Sequence, residues 1–215
     1  MTKHRSAGWP KLKRDLVAIL RGLPPPDCEA IVAALIEEGF AAIEIPLNSP
    51  DPFRSIEVAA KLAPAGVLIG AGTVLTRAQV DALHAAGGTL LVSPNVDAAV
   101  LGRAAEHGMV TMPGVFTPTE ALAAIAAGAS ALKFFPASVL GPDGVKAISA
   151  VLSKDVPLGV VGGVSEADFA AYGKVGVRHF GLGSSLYKPG DDADTVRGRA
   201  RRAVAAYDDV FGAAG

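Results

Sequence analysis

The chain has 215 residues, with 20 Lys and Arg against 21 Asp and Glu, and a formal net charge of −1. This balance lacks the basic excess that binding to a phosphate backbone needs, so we expect no nucleic acid partner. No apolar run approaches the ~20 residues of a membrane-spanning helix, and no signal-peptide pattern follows the basic N-terminus. The single cysteine, Cys28, leaves no internal disulfide. We therefore expect a cytoplasmic protein without membrane association.

Short apolar runs alternate with longer Ala-rich segments along the chain. The apolar runs predict eight strands, at Leu16–Leu20, Ala41–Ile45, Val67–Ala71, Leu90–Ser93, Val110–Met112, Ala131–Phe134, Leu158–Val161 and His179–Leu182. The segments between these runs have the residue spacing of helices. The predicted helices include Asp27–Glu38, Arg77–Ala86, Asp97–His107, Thr119–Ala127 and Val145–Leu152. Several of these helices are followed by a glycine, as helix ends often are: Gly39, Gly87, Gly108, Gly128 and Gly176.

Strands that alternate with helices indicate parallel βαβ units. Eight such units predict an α/β fold, a single-domain (β/α)8 TIM barrel over residues 15–215. An open doubly wound sheet would need fewer strands and a switch point. We expect residues 1–14 to form an extra N-terminal helix below the barrel, and Ala193–Phe211 to form a long closing helix.

Charged residues inside or just after strands are rare in this sequence, and three of them stand out. Lys133 lies in Ala-Leu-Lys-Phe-Phe-Pro, Glu44 in Ile-Glu-Ile-Pro, and Arg21 directly follows the first strand. Strand alternation predicts that Lys133 and Glu44 point into the barrel. A desolvated lysine has a lowered pKa and can form an iminium with a ketone, while a nearby carboxylate transfers protons. The alternative is a buried structural Lys–Glu pair.

Glycine clusters follow the last two predicted strands. Gly162 and Gly163 come after the seventh strand, and Gly183 with Ser184 comes after the eighth. Glycines let backbone N–H groups approach a phosphate, and barrels usually bind phosphate at these loops. Each cluster alone would also suit an ordinary turn. Together they predict a phosphorylated ligand.

Two further residues follow strands at the predicted mouth. Thr73 could hydrogen-bond a substrate carboxylate or hydroxyl, and Pro94 could shape one wall, although both also suit ordinary turns. The four histidines are scattered and show no metal-ligand spacing. We therefore predict a mechanism without a metal or cofactor.

The sequence resembles the bacterial 2-keto-3-deoxy-6-phosphogluconate and 6-phosphogalactonate aldolases over almost its whole length. The matching stretches are AILRG (18–22), GFAAIEIPLNSP (39–50), IGAGTVL (69–75), VSPN (92–95), MPGVFTPTEA (112–121), ALKFFPAS (131–138), VGGV (161–164) and GLGSSLY (181–187). The resemblance implies a barrel, commonly a homotrimer, that cleaves a phosphorylated 2-keto-3-deoxy sugar acid to pyruvate and glyceraldehyde 3-phosphate.

The resemblance also implies roles for single residues. Lys133 would be the Schiff-base lysine and Glu44 the proton-transferring carboxylate. Arg21 and Thr73 would contact the substrate carboxylate. The phosphate site would comprise Gly162, Gly163, Gly183 and Ser184.

Three features favour the galactonate epimer within this resemblance. The gluconate type has an Arg shortly after the catalytic Glu, and here Asn48 stands in that region. Arg21 at the end of strand one and Val161 before the glycines are similar to the galactonate type. The gluconate epimer, or an enzyme that takes both, is the first alternative. A sugar-phosphate isomerase or epimerase and a binding module without catalysis are more distant ones.

Overall fold

The computed structural model describes residues 6–212 of the chain. Its parallel strands are β1 (Leu16–Ile19), β2 (Ala42–Pro46), β3 (Leu68–Gly72), β4 (Leu90–Val92), β5 (Val110–Met112), β6 (Gly114–Val115), β7 (Leu132–Phe134), β8 (Leu158–Val161) and β9 (His179–Leu182). Its helices are α1 (Pro25–Glu37), α2 (Pro52–Leu62), α3 (Arg77–Ala85), α4 (Ala98–Glu106), α5 (Pro118–Ala126), α6 (Ala137–Ser149), α7 (Phe169–Gly173) and α8 (Ala193–Phe211). A 3-10 turn at Glu166–Asp168 precedes α7.

The strands form one sheet in the order β5-β4-β3-β2-β1-β9-β8-β7-β6. Its two ends, β5 and β6, are consecutive in sequence and are separated only by Pro113. The N–H groups of Ala131 and Lys133, just before and on β7, donate to the carbonyls of Thr111 on β5 (3.1 Å) and of Pro113 (3.0 Å), which connects β7 to the β5 end of the sheet. The sheet is therefore a nearly closed parallel barrel with alternating helices, and the predicted TIM-like α/β fold is confirmed.

Proline explains why the structure has nine strands where the sequence predicts eight. All eight predicted strands are present, but the fifth continues past Pro113 as the short strand β6. Because proline has no N–H to donate, it interrupts the ladder without ending the extended segment.

The predicted N-terminal helix is wrong over the residues that can be compared. Residues 6–14 contain no helix, and residues 1–5 of the prediction lie outside the described residues. Ala7 instead forms a parallel bridge to Val110, and its N–H donates to the carbonyl of Met109 (3.0 Å). Pro10 disfavours a helix across this segment.

Local sequence explains where several helices begin. Thr76 and Gln79 form a capping box at the start of α3, and Thr117 and Glu120 form one at the start of α5. In each box the threonine hydroxyl and the longer side chain satisfy backbone N–H groups that the first turn leaves without partners. No helix within residues 6–212 is both long and apolar enough to cross a membrane.

Two apolar layers fill the molecule, and alternation along the strands separates them. Ile43 and Leu132 belong to the larger layer, which the helices cover. Ala42 and Ala131 belong to a smaller layer inside the barrel, with Trp9 packed against it. Residues two positions further along the same strands face the same way, so Glu44 and Lys133 point into the barrel above this inner layer.

Candidate active site

Lys133 lies on β7 between two strands that place glycine beside it. Its register partners are Gly114 on β6 and Gly159 on β8. Neither neighbour has a side chain, so the barrel interior has room for the lysine, which is only 6% exposed. Its Nζ atom lies 4.7 Å from the ring centre of Phe135. The amine is therefore held at the top of the barrel with little access to water.

Glu44 lies on β2 and is 3% exposed. A Cβ added at Gly72 would lie 1.9 Å from Oε2 of Glu44, so the carboxylate rests directly on the glycine backbone of β3. Within the described chain Oε2 is buried and makes no hydrogen bond. Such a carboxylate has spare capacity to accept a proton or a hydrogen bond from a ligand.

The two buried charges shift each other's pKa. Burial lowers the pKa of Lys133 to about 8, while the charge of Glu44 opposes this shift and that of Arg21 adds to it. Burial raises the pKa of Glu44 to about 7, against the opposing charges of Lys133 and Arg21. Near neutral pH the site therefore offers an amine with a larger uncharged fraction than an ordinary lysine and a carboxylate that exchanges protons.

Arg21 is fixed beside this pair by the loop that follows β2. Its Nη1 donates to Oδ1 of Asn48 over 2.6 Å. The next residue, Gly22, donates its N–H to Oγ of Ser49 over 2.9 Å. Sequence reasoning used Asn48 only to favour the galactonate epimer and gave Ser49 no role, although both lie in the family-like stretch at 39–50. They position a cation whose charge acts on both Glu44 and Lys133.

A cavity of about 480 Å³ opens at the carboxyl ends of the strands. Six of the residues predicted for the site line it: Arg21, Val161, Gly162, Gly163, Gly183 and Ser184. The backbone of Gly162 (φ 94°) and Gly163 (φ 75°) is in the left-handed region that favours glycine. A Cβ at Gly163 would also lie 2.7 Å from Cβ of Ser138. At these two glycines the wall is therefore bare backbone, which an anion can approach closely.

The remaining predicted residues lie beside the cavity rather than in its wall. Lys133 contacts Phe135, which does line the cavity. Thr73 directly follows Gly72 in a left-handed conformation (φ 58°), which is unusual for a β-branched residue. The carbonyl of Pro94 abuts Gly114, where an added Cβ would lie 2.3 Å from the oxygen. Both thus flank the glycines that make room for the charged pair.

Metal-binding groups are not assembled in the part of the chain that the structure describes. No cluster of three or more His, Cys, Asp or Glu side chains is placed to hold an ion there. His84 and His107 stack on each other, with ring centres 4.1 Å apart. His179 lies within hydrogen-bonding distance of the carbonyl of Leu158, with Nδ1 3.2 Å from the oxygen.

Comparison with known proteins identifies the family. The model of the KDPG and KHG aldolase family matches residues 12–197. The chain belongs to this aldolase family. It is 68% identical over 203 residues to a probable 2-dehydro-3-deoxy-6-phosphogalactonate aldolase of Rhizobium meliloti (strain 1021). The match covers 94% of this chain and 96% of the relative. The chain is 45% identical over 195 residues to the 2-dehydro-3-deoxy-6-phosphogalactonate aldolase of Escherichia coli (strain K12), covering 91% and 95%.

A solved structure has the same fold. The structure described as native KDPGal superposes with a TM-score of 0.91 at 44% identity, over 94% of this chain and 98% of the other. The family therefore extends over the barrel, both glycine loops and the strands that carry Lys133 and Glu44.

Proposed function

We propose that this chain is a class I aldolase that cleaves 2-dehydro-3-deoxy-6-phosphogalactonate (KDPGal) to pyruvate and D-glyceraldehyde 3-phosphate. The observation that carries the proposal is the buried amine of Lys133, whose pKa is lowered to about 8 beside the carboxylate of Glu44. A buried lysine of this kind is a nucleophile for a ketone. Membership of the aldolase family supports the same reaction class.

The first half of the reaction builds an electron sink. Neutral Lys133 adds through Nζ to carbon 2 of the substrate to give a carbinolamine, and uptake of one proton with loss of water leaves a protonated imine. Arg21 and Thr73 bind the carboxylate at carbon 1, and Pro94 and Val161 shape the walls. Backbone N–H groups of the two glycine loops, with the hydroxyl of Ser184, bind the distal phosphate.

The second half breaks the carbon–carbon bond. Glu44, directly or through one water, takes the proton of the 4-hydroxyl, and the electron pair of the bond between carbons 3 and 4 moves into the iminium. Glyceraldehyde 3-phosphate leaves and an enamine remains on Lys133. Glu44 returns a proton to carbon 3, and hydrolysis of the resulting imine frees pyruvate and the lysine.

Borohydride trapping tests the nucleophile. Incubation with pyruvate and sodium borohydride is expected to add the reduced pyruvate adduct to Lys133, as located by peptide mass spectrometry. Lys133→Met should lose both the adduct and the cleavage activity. An unmodified Lys133, or activity that survives Lys133→Met, would instead favour an isomerase or epimerase that uses acid–base chemistry alone. Ligand binding without any turnover in a coupled pyruvate assay would favour a binding module.

Residues at the opening of the cavity and the names of two relatives support the choice of the galactonate epimer. Arg21 is held by Asn48, and Val161 lies in the cavity wall. The relatives at 68% and 45% identity carry the galactonate name. The two epimers differ only at the 4-hydroxyl, so one hydrogen bond worth ~1–3 kcal/mol is enough to set the preference.

Kinetics on both purified epimers decide between them. We expect kcat/KM to be higher for KDPGal than for the gluconate epimer. A preference of about tenfold or more for the gluconate epimer would overturn the choice, and equal values would indicate an enzyme that takes both.

We further propose a homotrimer that acts in the cytoplasm on small molecules. The resemblance to the family supports the trimer, and several large apolar side chains remain exposed on the single chain: Leu75, Phe116, Leu122 and Val139. Sedimentation velocity would test the assembly, and a monomer at micromolar concentration would refute it. Cell fractionation would test the location.

A further inference from the structure

The segment between β9 and α8 forms one wall of the cavity, and no role was predicted for it beyond Gly183 and Ser184. Tyr187, Lys188 and Pro189 all line the cavity. A Cβ added at Gly22 would lie 2.7 Å from Cγ of Pro189, so the wall packs tightly against the residue after Arg21. The segment thus extends from the predicted phosphate loop to the side of the cavity that holds Arg21.

Asp191 fixes the shape of this segment. Its Oδ2 accepts the backbone N–H of Lys188 over 2.7 Å and also pairs with the guanidinium of Arg199 on α8. Arg199 also donates to the carbonyl of Leu186 over 3.3 Å. The backbone at Lys188 is therefore anchored to a long helix, and the charge of its ammonium helps to lower the pKa of Asp191 without forming an ion pair with it.

The ammonium of Lys188 forms no ion pair within residues 6–212, so it can approach a ligand in the cavity. The side chain is exposed at the cavity. Among residues 6–212 its Nζ makes no ion pair and no side-chain hydrogen bond. Lysine binds phosphate as a mobile point charge, so a ligand need not find this group in one fixed position.

The negative charge of a bound phosphate would need a cation nearby, and the glycine loops do not supply one. A sugar phosphate carries a charge of about −1.5 to −2 at pH 7. Backbone N–H groups and the hydroxyl of Ser184 donate hydrogen bonds to phosphate but bring no net charge. In the described cavity wall the two cationic side chains are Arg21 and Lys188. Arg21 is bonded to Asn48 and its charge acts on Glu44 and Lys133, at the reacting end.

We propose that Lys188 neutralises the distal phosphate of the substrate and makes the enzyme discriminate phosphorylated from unphosphorylated sugar acids. This inference rests on the proposed aldolase function and deepens it. Lys188 touches the substrate far from the bond that breaks, so its contribution is to substrate binding and specificity.

Matched variants test the inference. Lys188→Met removes the charge and keeps most of the side-chain length, and Lys188→Arg keeps the charge. Lys174→Met is the control, because Lys174 is exposed just before β9, at the barrel end opposite the cavity. For each variant, kcat/KM is measured on KDPGal and on the same sugar acid without phosphate. Inorganic phosphate is tested as a competitive inhibitor of KDPGal cleavage.

The expected result is a change in discrimination. In Lys188→Met the ratio of kcat/KM for the phosphorylated over the unphosphorylated substrate should fall by about tenfold or more, mainly through KM. The inhibition constant of inorganic phosphate should rise by about fivefold or more. Lys188→Arg should recover most of both effects, and Lys174→Met should change neither.

Other outcomes overturn the inference without touching the proposed function. Equal losses on both substrates in Lys188→Met would show that the residue only supports the loop, and an unchanged ratio would show a solvated lysine. Failure of pyruvate trapping at Lys133 in the unmodified protein would instead refute the aldolase itself. The two proposals can therefore fail separately.

Discussion

Burial and two charged side chains determine the pKa of the Lys133 amine, and they act in different directions. Burial and the positive charge of Arg21 lower the pKa of Lys133, while the negative charge of Glu44 raises it. The carboxylate proposed for proton transfer therefore raises the pKa of the amine proposed for attack, which must be neutral to react. Desolvation must be the largest effect for the proposed chemistry to run near neutral pH.

Removing the carboxylate charge separates these effects. In Glu44→Gln the pKa of Lys133 should fall below about 8, because the group that raises this pKa is gone. The amine then becomes neutral at lower pH, so the midpoint of pyruvate trapping against pH should move down. Cleavage of KDPGal should fall by a factor of roughly 10²–10⁴ because the proton acceptor is lost.

A surface glutamate provides the control for this prediction. Glu57 on α2 pairs with Arg54 and Lys61 outside the barrel. Glu57→Gln should leave the trapping midpoint where it is. A midpoint that stays the same or rises in Glu44→Gln would contradict the assigned coupling between the two buried residues.

Gly72 tests whether the position of the carboxylate matters as much as its presence. A Cβ there would lie 1.9 Å from Oε2 of Glu44, so Gly72→Ala must displace the carboxylate or the strand. We expect kcat/KM to fall by about 100-fold, which is typical of a catalytic group moved by about 1 Å. Circular dichroism would show that the barrel still forms.

A double variant distinguishes displacement of Glu44 from general damage. If Gly72→Ala acts through the carboxylate, adding it to Glu44→Ala should cost little further activity, because the two changes remove one interaction. Additive losses would mean that Gly72→Ala harms the site by another route.

At the scale of secondary structure elements, strand periodicity and helix-end glycines were sufficient to predict most of the barrel. All five glycines predicted to close helices have left-handed φ values between 66° and 97°. Helix α2 was not among the helices named from the sequence, and α6 begins at Ala137, before the predicted start at Val145. The structure uses Pro52 in the first turn of α2, and Gly141 (φ 68°) as a kink inside α6.

In the site, too, strand periodicity predicted some residues, and others depend on contacts between distant parts of the chain. The inward direction of Lys133 and Glu44 follows from alternation within single strands, which a sequence displays directly. The Arg21–Asn48 bond joins residues 27 positions apart, and Lys188 acquires its place from Asp191 and α8. Such groups are set by tertiary packing, and only the resemblance to a family marked the stretches in which some of them lie.

A pair of glycines in one helix–loop unit tests the helix-end argument. Gly102 lies inside α4 and Gly108 follows it at φ 66°, and an added Cβ meets nothing within 4 Å at either position. Only backbone conformation differs between them. Gly102→Ala should therefore stabilise the fold by about 0.5–1 kcal/mol, and Gly108→Ala should destabilise it by about 1 kcal/mol.

Urea unfolding of both variants measures these effects. The difference between the two free energies of unfolding is the informative quantity, since both changes add the same methyl group. Equal effects would mean that φ at Gly108 is not what ends the helix.

At the scale of the whole molecule, the cavity opens at one end of the barrel, and the opposite end, its floor, is closed. The N-terminal segment covers the floor: Ser130 donates its hydroxyl to the carbonyl of Ala7. The indole N–H of Trp9 donates to Asp15 over 3.1 Å, and its ring meets His179 edge-on at 4.8 Å. This closure keeps water away from the inner apolar layer on which Lys133 and Glu44 rest.

Trp9 offers a direct test of that floor because it is the only tryptophan in the chain. Trp9→Ala removes a half-buried ring that packs on the inner layer, so the free energy of unfolding in urea should fall by about 2 kcal/mol. Trp9→Phe keeps most of the packing but loses the bond to Asp15, so its loss should be smaller. In the unmodified protein the tryptophan fluorescence transition should coincide with the loss of circular dichroism, since the segment is hydrogen-bonded to the barrel. A Trp9→Ala variant with an unchanged midpoint would show that the segment only rests on the floor, and the dry environment of Lys133 would then depend on the barrel interior alone.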